Sequence, residues 1–388
     1  MNTVATLSLI VNLSPLRPPL TGIGHYTREI LIRLMQDPSI ADIQGFYYHR
    51  WLDKHEIEKL LYPEHSVGGS GGSKLGKIPF IRPLYRSLLR WIHRPKMASL
   101  TNYVYWETNY VPIAFDGATV VTIYDLSFIR YPNFHPSERV KTFNRALPGA
   151  VARAKGVVTI SDFSSREIST VFPSSVGKIT IIPPGTSDDF HPRGASEIEP
   201  VRRKYALPEK YWLSVATIEP RKNLKNLLLA YARLSLDVRR QFPLVLVGTP
   251  GWLSDDLEPL ISPLEEDNTV LRLGYVPQED LPLIYCGAGA LLYLSLYEGY
   301  GMPVAEAVRS GIPVMTSEVS SMPEVGGNRA WYADPDSVDS IVSAMRAMMA
   351  SPDSLSPFVS SHRASPFIQS WADSARQFRN LFAQVAQS

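Results

Sequence analysis

Residues 290–306 read Ala-Leu-Leu-Tyr-Leu-Ser-Leu-Tyr-Glu298-Gly-Tyr-Gly-Met-Pro-Val-Ala-Glu306. The apolar run Ala290–Leu294 is a buried strand. Gly299 and Gly301 then loosen the chain, and Pro303 suits the first turn of a helix, where its missing N–H leaves nothing unpaired. A strand that passes through a glycine loop into a helix is the repeating unit of a parallel α/β sheet. The same segment carries chemistry. Glu298 falls at the carboxyl end of the strand and Glu306 in the first helical turn. Bare glycine backbone lets N–H groups approach a ligand, and a helix start favours an anion. The pattern equally fits a solvated loop whose Glu306 only complements the helix dipole. Spacing alone leaves both readings open.

Working outward, the same alternation recurs. Leu7–Val11, Ala118–Ile123, Gly156–Ile160 and Ile179–Ile182 read as strands in the first half, with a helix around Tyr26–Leu34 and another capped by Ser161 and running through Ile168. Trp212–Ala216, Leu244–Val247, Val270–Leu273 and Val314–Met315 read as strands in the second half, with a helix over Leu224–Leu236. Strands separated by helices imply parallel sheets with right-handed crossovers, and ligands at the carboxyl ends of the strands. The segment Phe367–Gln387 is a helix, its apolar residues Trp371, Ala375, Phe378, Leu381, Phe382 and Val385 falling on one face.

Length and composition agree. At 388 residues the chain suggests two domains. Basic residues number 39 and acidic ones 37, a net charge of +2, which excludes binding by bulk charge alone. Residues 1–200 hold 22 basic and 17 acidic side chains, and the remainder 17 and 20, so the halves differ in sign. The single Cys286 excludes an internal disulfide and a cysteine zinc site. No basic residue precedes the apolar stretch Val4–Leu13, so no secretory signal is expected, and no uncharged run is long enough to span a bilayer.

Two glutamates separated by seven residues in Glu298–Glu306 resemble the signature of the retaining family 4 glycosyltransferases. Thr217-Ile-Glu-Pro-Arg221-Lys222-Asn223 is similar to that family's diphosphate motif, and Thr21-Gly22-Ile-Gly24-His25-Tyr26-Thr27 to its N-terminal glycine loop. Leu273–Val276 and Met322–Gly326 fall in the family's order. The resemblance implies the GT-B fold: an α/β chain of two doubly wound Rossmann-like domains facing across a cleft. It places an acceptor-binding domain at 1–195, a nucleotide-sugar-binding domain at 196–365, and a C-terminal helix at 366–388 that returns to the first domain. By the same resemblance Glu306 binds the ribose hydroxyls and Glu298 contacts the transferred hexose. Arg221 and Lys222 hold the diphosphate together with the Gly299–Met302 backbone, which includes Tyr300 and Gly301. Gly22, Gly24 and Val276 complete the nucleotide-sugar contacts. Fixed cations and amides there would stabilise charge accumulating on the leaving diphosphate.

The resemblance has two departures: His25 stands where the family's glycine loop commonly has Arg, and the other lies before Asp125. In Val121-Thr-Ile-Tyr124-Asp125-Leu126 the family usually carries His before the Asp. Tyr124 and Asp125 are therefore the expected catalytic pair beside Glu298, although a phenol is a poor base at neutral pH. No metal is expected. Asp334-Pro-Asp336 has a D-x-D spelling but reads as loop or capping chemistry.

From His65 to Trp106 there is no acidic residue, while Lys74, Lys77, Arg82, Arg86, Arg90, Arg94 and Lys96 are basic. The arginines recur every fourth residue, opposite Leu84, Leu88 and Trp91. A basic amphipathic segment over 74–97 is expected to touch an anionic membrane surface, and no nucleic acid is expected. The combined expectation is a metal-independent, retaining hexosyltransferase without a bound cofactor. It would use a GDP-linked mannose or rhamnose donor and a lipid-linked oligosaccharide acceptor, at the cytoplasmic face of the cell membrane, in lipopolysaccharide O-antigen assembly. A nucleotide-sugar 2-epimerase of similar fold, or a non-catalytic sugar-nucleotide-binding scaffold, is the alternative.

Overall fold

A computed structural model describes residues 6–18, 20–62, 81–249, 257–350 and 368–387. The chain forms two units. One comprises Met1–Ile160, Ser164–Gly185 and Trp371–Ser388; the other comprises Ser161–Phe163 and Thr186–Ser370. The division falls at Gly185/Thr186 rather than at residue 195. The C-terminal helix groups with the first unit.

The first unit is built on strands β1 (Leu7–Asn12), β2 (Ile40–Tyr47), β3 (Arg50–Leu52), β4 (Val104–Glu107), β5 (Thr119–Thr122), β6 (Gly156–Thr159) and β7 (Ile179–Ile181). Their order in the sheet is β3-β2-β1-β4-β5-β6-β7. All neighbours are parallel except β2 and β3. The helix Gly22–Gln36 begins where the glycine loop was read. A Cβ on Gly24 would lie 2.6 Å from the Pro15 carbonyl oxygen, so only glycine lets the turn Ser14–Leu16 close on the helix start. The C-terminal helix Trp371–Gln387 packs here. Phe378 meets Trp106 at 4.6 Å between ring centroids, and Trp371 meets Tyr26 at 6.0 Å.

The second unit holds β8 (Trp212–Val215), β9 (Leu244–Val247), β10 (Val270–Gly274), β11 (Ala290–Tyr293), β12 (Val314–Ser317) and β13 (Ala330–Ala333). They form one parallel sheet in the order β10-β9-β8-β11-β12-β13. Strands β9, β11 and β12 are buried on both faces, as a helix-covered parallel sheet requires. One core joins Leu244, Leu246, Leu292 and Met315 to Leu227, Leu228 and Tyr231 of the helix Leu224–Ala232. That helix is shorter than the reading over Leu224–Leu236. The chain breaks after Ala232, and Ser235 caps a second helix, Leu236–Gln241, by accepting from the Val238 amide.

The helix Ile81–Ser99 overlaps the expected basic segment 74–97 and runs two residues beyond it. His93 and Met97 are buried, whereas Trp91 is 75% exposed and Arg94 and Lys96 are exposed. Lys74 and Lys77 lie outside the described residues, as do the side chains of Arg82, Arg86 and Arg90. Among the described residues no helix is long and apolar enough to cross a membrane.

Candidate functional site

In the second unit the strand order reverses at β8 and β11, which lie side by side. Loops leaving the carboxyl ends of two such strands diverge and open a crevice. The turn Pro220–Lys222 follows β8, and the Glu298 loop follows β11. They are tied by backbone: the Leu296 amide donates to the Arg221 carbonyl at 2.9 Å. Asn223, left-handed at φ 58°, donates its side-chain amide to the Leu294 carbonyl at 3.0 Å and the Pro335 carbonyl at 2.7 Å.

This convergence places Glu298 between two cations. Its Oε1 lies 2.6 Å from Lys222 Nζ and its Oε2 3.0 Å from Arg221 Nη1. Tyr293 donates its hydroxyl to the same Oε1 at 2.8 Å. Arg221 also pairs with Glu219 at 2.9 Å and donates to the Tyr297 carbonyl at 2.9 Å. Glu219, Arg221, Lys222 and Glu298 thus form a neutral cluster of two carboxylates and two cations. Burial acts to raise the pKa of Glu298, but Arg221 and Lys222 outweigh it and hold it at about 2. Lys222 is itself lowered, chiefly by burial, with Glu298 pulling the other way.

The side chains of Arg221 and Lys222 are only 17% and 15% exposed. Lys222 uses two of its three donors on Glu298 and Tyr293. It also lines a cavity of about 110 Å³ at the ends of β8, β9 and β10, beside Thr217, Gly248, Gly274 and Tyr293.

Among the described residues no cation pairs with Glu306. It lies in the second turn of the helix Met302–Arg309, not the first, so the dipole explanation does not apply to it. It is half-buried with the Tyr285 hydroxyl donating at 2.9 Å. Burial pushes its pKa up to about 7, only partly offset by that bond. The loop before it is held tightly. Ser321 donates to the carbonyls of Glu298 and Tyr300, and the Glu298 amide donates to Ser320. Gly301 has φ 112°, and a Cβ there would meet Met322 Cε at 2.2 Å, so the loop demands glycine. Gly299 and Tyr300 are buried, Met302 half-buried, and Val276 buried after β10.

The remaining expected residues lie in the first unit. Gly22 is exposed and Gly24 buried at the start of the helix Gly22–Gln36. Tyr124 needs a correction: it is a core residue. Its hydroxyl donates to the Thr108 carbonyl at 2.9 Å, its ring packs edge-on against Tyr26 at 5.5 Å, and burial pushes the phenol far above its ordinary range. A phenol so placed keeps its proton and cannot act as a base. Asp125 lies just before the short helix Ser127–Arg130, and its Oδ1 accepts from the Ser127 amide at 3.0 Å and hydroxyl at 2.7 Å. Asp334 and Asp336 form a loop turn, in which the Asp336 amide donates to the Asp334 carboxylate. Among the described residues no group of three or more His, Cys, Asp and Glu could hold a metal ion.

Sequence reasoning missed Glu219, Tyr285 and Tyr293. The tyrosines lie in apolar runs, and nothing in the sequence shows that each donates its hydroxyl to one of the two signature glutamates.

Residues 197–363 match the family described as glycosyl transferases group 1. The chain is 36% identical over 343 residues to O-antigen chain mannosyltransferase B of Escherichia coli, covering 86% of this chain and 88% of that one. The chain is a group 1 glycosyltransferase. It is also 26% identical over 341 residues to O-antigen chain mannosyltransferase RfbU of Salmonella typhimurium, covering 87% of this chain and 90% of that one. Two solved structures share the fold. Anabaena HepE, crystallised with UDP and glucose, superimposes with a TM-score of 0.68 at 16% identity, over 97% of this chain and 99% of that one. WaaG, a glycosyltransferase involved in lipopolysaccharide biosynthesis, gives 0.65 at 16% identity over 98% of each chain. This group 1 glycosyltransferase therefore has the expected GT-B architecture of two Rossmann-like units.

Proposed function

We propose that this glycosyltransferase moves a mannosyl unit from GDP-mannose to a hydroxyl of a lipid-linked oligosaccharide during O-antigen assembly, with retention of configuration and without a metal. The observation that carries this reading is the 36% identity to an O-antigen chain mannosyltransferase across 86% of the chain. The second unit takes the donor and the first unit the acceptor. Glu306 accepts hydrogen bonds from the ribose hydroxyls, and Lys222 offers its remaining donor to the diphosphate. In the transfer, the bond from the sugar's anomeric carbon to the phosphate oxygen breaks and a bond to the acceptor oxygen forms. The acceptor's proton passes to the leaving phosphate. Lys222 and Arg221, oriented by Glu298, oppose the charge that builds there.

The direct test offers purified enzyme a panel of nucleotide sugars with a lipid-linked acceptor, in the presence of EDTA. GDP-mannose should be consumed only when acceptor is present, and nuclear magnetic resonance should show an α-linked product. Consumption without acceptor would point to epimerisation, and a requirement for added divalent ions would revive the Asp334/Asp336 spelling.

The acceptor's lipid places the enzyme at the cytoplasmic face of the membrane, and the helix Ile81–Ser99 is the contact. The exposed Trp91 beside exposed Arg94 and Lys96 supports this. Basic residues near an anionic surface contribute about 1 kcal/mol each, fading within a Debye length. Co-sedimentation with anionic vesicles should therefore weaken in high salt. Changing Arg82, Arg86, Arg90 and Arg94 to Glu should release the protein, while transfer to a short soluble acceptor persists. Equal sedimentation of variant and wild type would remove the helix from this role.

A further inference from the structure

We propose that Arg272 is a stacking platform for the donor's nucleobase, an inference that rests on the donor reading of the second unit. Arg272 lies on β10 and lines the same cavity as Lys222, Thr217, Gly248 and Gly274. Its guanidinium is held in two forks by the helix Glu258–Glu266. Nε and Nη2 donate to the two oxygens of Glu265 at 2.7 and 2.6 Å. Nη1 and Nη2 donate to the two oxygens of Glu258 at 2.7 and 3.1 Å. Four of the five N–H groups are thereby engaged.

This arrangement decides what Arg272 can bind. A phosphate is recognised through the edge of the guanidinium, by the fork that the two glutamates occupy. Two carboxylates on one cation also leave a local charge of −1, which repels a diphosphate. What the forks leave open is the flat face of the guanidinium, fixed in orientation because two of its edges are pinned by carboxylates. On a side chain that lines the cavity and has its edges occupied, such a face suits a heteroaromatic ring, which stacks on arginine irrespective of its hydrogen-bonding edge. Lys222 at the same cavity is the group left for the phosphates, so base and diphosphate have separate partners within one pocket.

The ion pairs themselves contribute little to folding. The Arg272 side chain is 35% exposed, and Glu258 and Glu265 are 56% and 31% exposed. Arg272→Ala should therefore fold, with an unchanged melting profile. Calorimetry with GDP and with inorganic pyrophosphate tests the assignment. Arg272→Ala should weaken GDP about tenfold or more while leaving pyrophosphate unaffected. Arg272→Lys should fail to restore GDP binding, because an ammonium offers no flat face. GDP affinity unchanged in Arg272→Ala would overturn the proposal. So would an equal loss for pyrophosphate, or rescue by Lys, since either makes Arg272 a phosphate-binding cation. Wild-type protein that binds neither GDP nor UDP would remove the donor reading itself and this inference with it.

Discussion

Lys222→Met should lower the melting temperature of the second unit by roughly 5–10 °C, which is about 2–4 kcal/mol. The cause is the group left behind. Glu298 is 7% exposed and loses its 2.6 Å partner, keeping only Arg221 and the Tyr293 hydroxyl. Removing one member of a buried pair strands the other charge, which costs more than the pair was worth. A second substitution makes the argument testable. Glu298→Gln in the Lys222→Met background should recover part of the lost stability, because the stranded charge is gone. The pH dependence has a definite sign. The folded pKa of Glu298 lies below its unfolded value of 4.5, at about 2. Its contribution is therefore present above pH 4.5 and disappears as pH falls toward 2. Scanning calorimetry of the wild type and both variants between those limits would check this. Strictly additive effects of the two substitutions would show that the cluster is not coupled. Either variant should also lose transfer activity, so activity alone cannot distinguish the structural role from the chemical one.

The opposite behaviour is expected at Glu306. Its folded pKa is raised from 4.5 to about 7. Folding is therefore opposed by its ionisation, with no penalty below pH 4.5 and the full penalty above pH 7. Glu306→Gln should raise stability at pH 8 by about 1–3 kcal/mol and leave it unchanged near pH 4.5. The same variant should bind nucleoside diphosphate roughly tenfold to a hundredfold more weakly at pH 8, having lost a charged acceptor. In the wild type, affinity should fall as pH drops through 7, when the carboxylate takes up a proton. A variant that gains stability and keeps its affinity would separate Glu306 from nucleotide binding. A gain in stability coupled to a loss of affinity is what a binding group held against its own solvation preference produces.

The sequence made some of this visible and hid the rest for identifiable reasons. Strands β8, β9 and β11 were legible because a parallel strand covered on both faces is a continuous apolar run. Strand β2, Ile-Ala-Asp-Ile-Gln-Gly-Phe-Tyr, carries polar residues within the run. Strand β4, Val-Tyr-Trp-Glu, ends in a buried glutamate that accepts from Asn12 and from the Asn109 amide. Neither presents the apolar signature, and both passed unread. Glu298, Arg221 and Lys222 were legible by motif, and the sheet brings them together at adjacent strand ends. Their mutual pairing was not legible, because it depends on β8 and β11 being neighbours, a fact of strand order. Tyr124 shows the converse. Its position in a motif pointed to catalysis, and only the packing of Tyr26 and the Thr108 carbonyl around it reveals a core residue.

The return of the last helix to the first unit has a consequence for synthesis. Trp106 at the centre of the first sheet is covered by Phe378 and Phe382, which leave the ribosome after the whole second unit has been made. Chains emerge at roughly 5–20 residues per second and fold as domains become available. All of the second unit, Ser161–Phe163 and Thr186–Ser370, is made while the first still lacks the aromatic cover of Trp106. The first unit can therefore be completed only after the second has been synthesised. A ribosome that stalls or a protease that clips near residue 370 leaves a first unit without the helix that covers Trp106.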